Sequence, residues 1–466
     1  MITFLLACLC LILGYVFYGA FVEKIWHPTG KPTPAVAHPD GVDYVPLPTY
    51  KTFFIQFLNI AGLGPVFGAL LGAIYGPACF LWIVLGCIFA GAVHDYLSGM
   101  LSLKHDGKSI TFLMETYFGA RVKYLAFVLI IAMLVLVGCV FATSPAHMLA
   151  QQTQSALWIW LCVIFGYYFI ATLLPIDKLI GRVYPFFAAG LIIGSVVLIV
   201  ALYMQGAPLW IPMDLHNHHP KGLPMFPLMF ITIACGAISG FHATQSPMMA
   251  RCLTKEKYGR VIFYGAMILE GIIALIWATL GMTFFPDSAA LLAKVNEVKI
   301  PGVVSHIAQG LVGDVGGFCI VLTVVILAIT TGDTCFRSAR LSLADCLRMS
   351  QDKIAKRLLL TACVLAMGIA LSVIDISTIW QYFGWVNQSL ATATLWMVTV
   401  YLYQKSKLFW VSLVPAVFMT AVCGTYLMYD PLFFHLPIET ARIIGGAIAL
   451  CILAFFFIRP PKRVLR

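Results

Sequence analysis

The sequence predicts an all-α polytopic membrane protein with a core of two five-helix units in inverted topology. Three observations predict it. Of 466 residues, 61% are hydrophobic and only 10% are charged, where soluble proteins carry about 25% charged residues. Apolar stretches of membrane-spanning length recur along the whole chain, and the basic residues fall on every second loop between them. Two of the stretches are interrupted by glycine and proline in corresponding places, Asn59–Pro65 and Cys235–Pro247.

A span needs about 20 mostly apolar residues. Thirteen stretches qualify: 2–22, 53–75, 77–103, 121–143, 156–174, 182–204, 223–246, 258–285, 316–346, 354–374, 377–403, 408–428 and 440–458. One set of loops holds Lys104, Lys108, Arg121 and Lys123, then Lys178 and Arg182, then Arg251, Lys255, Lys257 and Arg260. It continues with Arg337, Arg340, Arg348, Lys353, Lys356 and Arg357, then Lys405 and Lys407, and the tail with Arg459, Lys462, Arg463 and Arg466. The intervening loops 144–155, 205–222, 286–315, 375–376 and 429–439 are poor in basic residues. Basic loops stay in the cytoplasm, so the N-terminus is expected outside and the C-terminus inside. Residues 2–22 read as a retained helix, because no Lys or Arg precedes them as in a signal peptide.

The span containing Asn59, Gly62, Gly64 and Pro65 is expected to run outward. The span containing Gly236, Ser239, Gly240, His242 and Gln245 lies five spans later and runs inward. An odd offset inverts direction, so spans two to six and seven to eleven form an inverted pair. This is the logic of LeuT-type transporters, whose two broken helices meet at the membrane midplane. The expected division is 1–52 as a peripheral helix and cytoplasmic Pro-rich segment, 53–403 as the transport core, and 404–466 as two peripheral helices and a basic tail.

Broken helices expose free N–H groups that attract a carboxylate and free carbonyls that attract a cation. Such a site suits a small acid or a zwitterion such as a peptide. His242 either donates to a substrate carboxylate or serves as a core histidine bonded to a carbonyl. Asp95 and Glu270 stand in apolar spans three and eight, where ionisable groups mark proton relays, or else structural pairs. Glu270 is twelve residues from Tyr258, or about 18 Å into a core about 30 Å thick. Asp95 is its candidate relay toward the cytoplasm. Thr330, Thr331, Asp333 and Thr334 in span nine offer a sodium site, in competition with a helical pair of Asp333 and Arg337. Asn387 and Gln388 share a helix with Gly384 and either contact substrate or bond helices together.

Other function classes are set aside. The net charge of +10 is spread over membrane-flanking loops and does not imply nucleic acid. The 14 cysteines form no CxxC pair and read as small core residues. The outer run from Asp214 to His219 reads as a solvated loop rather than a metal site. No cofactor or resident metal is expected, nor an enzyme. A Walker lysine motif is absent from the sequence, so ATP-driven transport is not supported.

Six motifs in order resemble the carbon starvation protein A (CstA) family. They are Asp40–Pro46, Ala61–Pro65, Gly91–Asp95, His105–Ser109, Ile238–Ala243 and Phe383–Gln388. Leu63, Trp385 and Val386 stand in place of smaller residues, and His94 in place of an amide. The resemblance implies a LeuT-like fold in the inner membrane and uptake of peptides, some relatives importing pyruvate with protons. The expected function is a secondary importer of short peptides coupled to protons or sodium. The alternative within the class is proton–pyruvate symport. An alternative from another class is a respiratory membrane subunit with His94 and His242 ligating haem.

Overall fold

The computed structural model describes residues 1–466 apart from 41–43, 172–175, 209, 348, 350–352 and 462–466, and apart from the side chains of 176–184 and 345. Gly41, Val42 and Asp43 of the first motif, Arg348, Lys462, Arg463, Arg466 and the side chains of Lys178 and Arg182 therefore lie outside the described residues.

Helix occupies each of the thirteen predicted stretches. Nine helices among the described residues are long and apolar enough to cross a membrane, ten if one bent pair counts as a span. The count of thirteen is thus larger than apolarity and length alone support. The difference lies in the short Leu157–Ala171, the split segment 225–250, and Ile376–Gln404. The last carries buried Asn387, Gln388, Thr392 and Thr394, because it faces protein rather than lipid.

The helices in order are α1 (Ile2–Trp26), the bent pair α2 (Thr49–Ala61) and α3 (Gly64–Ala73), α4 (Ala78–Lys104) and α5 (Ile110–Phe118). Then come α6 (Ala120–Thr153), α7 (Leu157–Ala171), α8 (Ile176–Met204), α9 (Met225–Thr232), α10 (Gly240–Ala250) and α11 (Glu256–Thr283). The stretch Ser288–Cys346 is broken at Lys299 (φ 59°) and Gly313 (φ 73°) into α12 (288–298), α13 (300–312) and α14 (314–346). The chain ends with α15 (Ile354–Leu371), α16 (Ile376–Gln404), α17 (Trp410–Tyr429) and α18 (Ile438–Ile458). Helices α12 and α13 occupy what reads in the sequence as an outer loop.

The packing repeats at an offset of five spans. Helix α3 packs on α11 as α10 packs on α4, and α2 packs on α8 as α10 packs on α16. Helix α6 meets α7 and α15, and α14 meets α15 and α7, through Phe336 against Gly368 and Gly332 against Tyr168. Helix α6 packs on α16 as α14 packs on α8. Helices α6 and α14 pack on each other, Phe336 lying over Gly138, as elements exchanged by a two-fold axis must. Five is odd, so each span crossing once turns the second unit over. The two inverted repeats are therefore legible in which helices touch.

The basic loops meet at one end of this bundle. Arg251 Nε donates to the Gly107 carbonyl at 2.8 Å, and Arg260 pairs with Glu23 at 3.1 Å. Lys407 Nζ donates to the Trp26 carbonyl, and Trp26 Nε1 to Glu256 at 3.3 Å. The Pro-rich segment is stitched beneath them, with Thr33 bonded to Leu253 and Tyr44 to Asp106. Apolar side chains such as Ile443, Leu450 and Phe455 on α18 point outward, as lipid-facing surface does.

Candidate functional site

The site is built where the two breaks cross. Helix α2 ends at Gly62, whose φ of 37° and ψ of −140° belong to backbone that only glycine adopts freely. Pro65 sits in the first turn of α3, where its missing N–H costs nothing. The two halves meet at 43°. In the partner span, α9 stops at Thr232, and Ser239 is extended (φ −144°) before α10 begins. Gly64 has no positive φ. A Cβ there would lie 2.1 Å from the Cβ of Cys235. Gly240 likewise abuts backbone, with its Cβ position 2.3 Å from the Asn387 carbonyl oxygen. Gly236 faces Ala274. These three glycines serve close packing of the breaks, and Gly62 alone among them supplies the unusual backbone.

Asn387 holds the second break in shape. Its Oδ1 accepts from the Phe241 N–H at 2.8 Å and from Ser239 Oγ at 3.1 Å. It thereby satisfies the first turn of α10, whose amide donors have no helical partner. Gln388 Nε2 donates to the Phe230 carbonyl at 3.3 Å, on α9. Asn387 and Gln388 thus each give one side-chain atom to the broken span, while Asn387 Nδ2 and Gln388 Oε1 stay buried without a partner among the described residues.

Beside the break runs a chain of four ionisable side chains, all 0% exposed. His94 Nδ1 lies 2.7 Å from Asp95 Oδ1, and His242 Nδ1 lies 2.9 Å from Asp95 Oδ2. His242 Nε2 is 3.5 Å from Glu270 Oε2. The sequence offers Glu270 and Asp95 as a carrier and its relay and His242 as a substrate contact or core histidine, on three spans; packing of α4, α10 and α11 brings the three side chains into one row. His94, placed only in the haem alternative, is its fourth member. Both imidazoles contact the one carboxylate of Asp95 through Nδ1, an arrangement that gives the haem alternative no support. Cys235 is within 4.8 Å of the His242 and Glu270 donor atoms. Its thiol is given to Ser239 Oγ at 3.4 Å, and three donors fall short of a closed zinc site.

Several buried polar atoms on the broken helices and on α6 have no hydrogen-bond partner among the described residues. They include both side-chain atoms of Gln56, Asn59 Oδ1, Ser144 Oγ and Gln245 Oε1. Gln245 Nε2 donates to Thr244 Oγ1 at 2.9 Å. Native interiors rarely leave such groups unpaired without water or ligand. Gln56 and Ser144 escape sequence reading, although Gln56 stands three residues before Asn59 and shares its helix face.

The sodium candidates divide. Thr331 Oγ1 donates to the Leu327 carbonyl of its own helix at 3.0 Å and also lies 3.5 Å from the Leu58 carbonyl of α2, beside the first break. Thr330 and Thr334 bond back to carbonyls of their own helix. Asp333 is paired with Arg337 at 3.4 Å, the helical alternative. In the outer run, His218 Nε2 contacts Asp214 at 3.0 Å and His219 packs against Tyr75 with ring centres 4.9 Å apart and planes tilted by 48°.

Comparison with known proteins places this geometry in a family. The profile described as "Carbon starvation protein CstA" matches residues 1–161, 144–312 and 298–425. A membrane protein of Haemophilus influenzae is 43% identical, over 62% of this chain and 93% of its own length. The "Peptide transporter CstA" of Escherichia coli is 26% identical, over 91% of this chain and 81% of its own. A solved structure titled "Inward facing conformation of Mhp1" aligns with a TM-score of 0.46 at 13% identity, covering 89% of this chain and 91% of that one. This multi-pass membrane protein therefore belongs to the carbon starvation protein CstA family.

Proposed function

We propose that this membrane transporter is a secondary importer of short peptides, driven by protons moving along Glu270, His242, Asp95 and His94. The observation that carries the reading is that chain: four buried ionisable groups in sequence, linked at 3.5, 2.9 and 2.7 Å, beside two broken helices. Ionisable groups inside a membrane bundle are costly and mark such paths. Residues 53–403 form the transport core, with substrate taken where Gln56, Asn59, Ser144 and Gln245 leave polar atoms unpaired. The names of the Escherichia coli and Campylobacter jejuni relatives, 26% and 25% identical, support peptide as the substrate. Sodium at Thr331 and the Leu58 carbonyl is the competing coupling, favoured by that 3.5 Å approach across the first break.

Counterflow in proteoliposomes tests the substrate. Labelled di- and tripeptides are expected to exchange, whereas free amino acids and pyruvate are not. Exchange of pyruvate alone replaces the peptide reading with monocarboxylate symport, and exchange of none rejects both.

The protein is placed in the inner membrane with its N-terminus outside and its C-terminus in the cytoplasm, on the side where Arg251, Arg260 and Lys407 gather. A reporter active only in the cytoplasm is expected to work after Arg466 and to fail within 205–222. The reverse pattern, or equal activity at both positions, rejects this orientation.

A further inference from the structure

At the end opposite the basic loops lie two adjoining cavities of about 280 and 240 Å³, each near the lower size of small-molecule sites, about 300 Å³. Both are lined by Tyr75, Thr232, Trp380 and Gln381. Thr232 is the last residue of α9, so the cavities open directly onto the second break. Trp380 lines both, its ring 5.8 Å from that of Phe67 on α3 and 5.3 Å from that of Phe383. They form a vestibule at the outer side of the second break.

The lining has a definite charge. Asp430, in the connection between α17 and α18, is the carboxylate of this vestibule, and no lysine or arginine lines either cavity among the described residues. Asp430 is only 6% exposed. Its Oδ1 accepts from the Leu432 N–H at 2.9 Å, and it pairs with the Tyr426 hydroxyl. These contacts fix the carboxylate but provide no cation. The same cavity is lined by Tyr75, Tyr426, Tyr429 and Trp380. A fixed carboxylate in a cavity lined by aromatic rings and free of lysine and arginine can recognise an ammonium group, by charge and by cation–π attraction. A bare monocarboxylate entering the same space meets like charge.

We infer that this vestibule is an ammonium subsite, in which Asp430 and the tyrosines of the same cavity hold the α-amino group of an arriving peptide. The inference rests on the import of peptides proposed above and sharpens it: the substrate must carry a free amine near a free acid. It also gives the α17–α18 connection, which sequence reading treats as peripheral, a direct part in selection.

The test is calorimetry on the purified full-length protein with three probes: dialanine, N-acetyl-dialanine and pyruvate. Wild type is expected to bind dialanine at least tenfold more tightly than N-acetyl-dialanine. Asp430→Asn keeps the Oδ1 acceptor for Leu432, so the loop is retained. It is expected to weaken dialanine at least tenfold and leave N-acetyl-dialanine unchanged. Tyr429→Leu removes one ring without touching that acceptor and is expected to weaken dialanine severalfold; it carries the test if Asp430→Asn does not fold. Equal binding of the acetylated and free peptides, or full dialanine affinity in both variants, overturns the ammonium subsite. Counterflow of dialanine that ignores Asp430 rejects this inference alone. Pyruvate binding without dialanine binding rejects the peptide reading with it.

Discussion

Leucine at Gly240 is expected to abolish uptake while leaving a membrane-inserted protein. The Cβ position lies 2.3 Å from the Asn387 carbonyl oxygen and 2.6 Å from the Ala391 nitrogen. Both neighbours are backbone, so no rotamer change relieves the clash, and α10 and α16 must separate. Separation draws Asn387 Oδ1 away from the Phe241 N–H and from Ser239. Overpacking costs about 1–3 kcal/mol, and each buried group left unpaired about 1–3 kcal/mol more. Against a typical stability of about 5–15 kcal/mol, the fold survives and the break does not. Gly64 provides the contrast. Its Cβ position meets a side chain, Cys235, at 2.1 Å. Gly64→Ala is therefore expected to lose uptake and to regain much of it with Cys235→Gly, a positive coupling between neighbours. Gly240→Ala has no such suppressor. Uptake per reconstituted protein and thermal melting measure both; normal transport by Gly240→Leu would show that the crossing of α10 and α16 is not under constraint.

Glu270→Gln is expected to stop accumulation driven by a pH gradient while leaving substrate exchange intact. Glutamine keeps the shape of the side chain beside His242, 3.5 Å away, and removes its titratable proton. Exchange requires only alternating access, whereas accumulation requires a proton to travel with each substrate. Asp95→Asn is expected to do the same with a further loss of exchange, because Asp95 also fixes the orientation of both His94 and His242. The measurement is uptake into proteoliposomes under an imposed pH gradient, with and without sodium. Accumulation by Glu270→Gln under the gradient would refute the carrier role. A wild type that needs sodium and ignores the gradient would move coupling to Thr331 and the Leu58 carbonyl.

Much of this protein is determined by the sequence alone. Low charge, long apolar stretches and alternating basic loops specify a polytopic bundle, because hydrocarbon admits little else than helices. Gly62 and Pro65 announce the first break, since glycine and proline act locally on φ and on the N–H inventory. Asp95, His242 and Glu270 are conspicuous for a local reason too: each is expensive in an apolar span. What sequence does not show is that they touch. Asp95 lies 147 residues from His242, and only the packing of α10 on α4 and beside α11 sets the three in line. The same limit explains Gly64 and Gly240, whose need for a missing Cβ arises from Cys235 and Asn387 on other segments. It explains Asn387, an ordinary interior amide until α16 lies against the start of α10. Asp430 belongs here as well. In sequence it is one acid in an outer loop, and only tertiary structure places it in one cavity with Tyr75, Tyr426 and Trp380. Local chemistry is written residue by residue, whereas adjacency across helices is decided by which faces the whole bundle buries together.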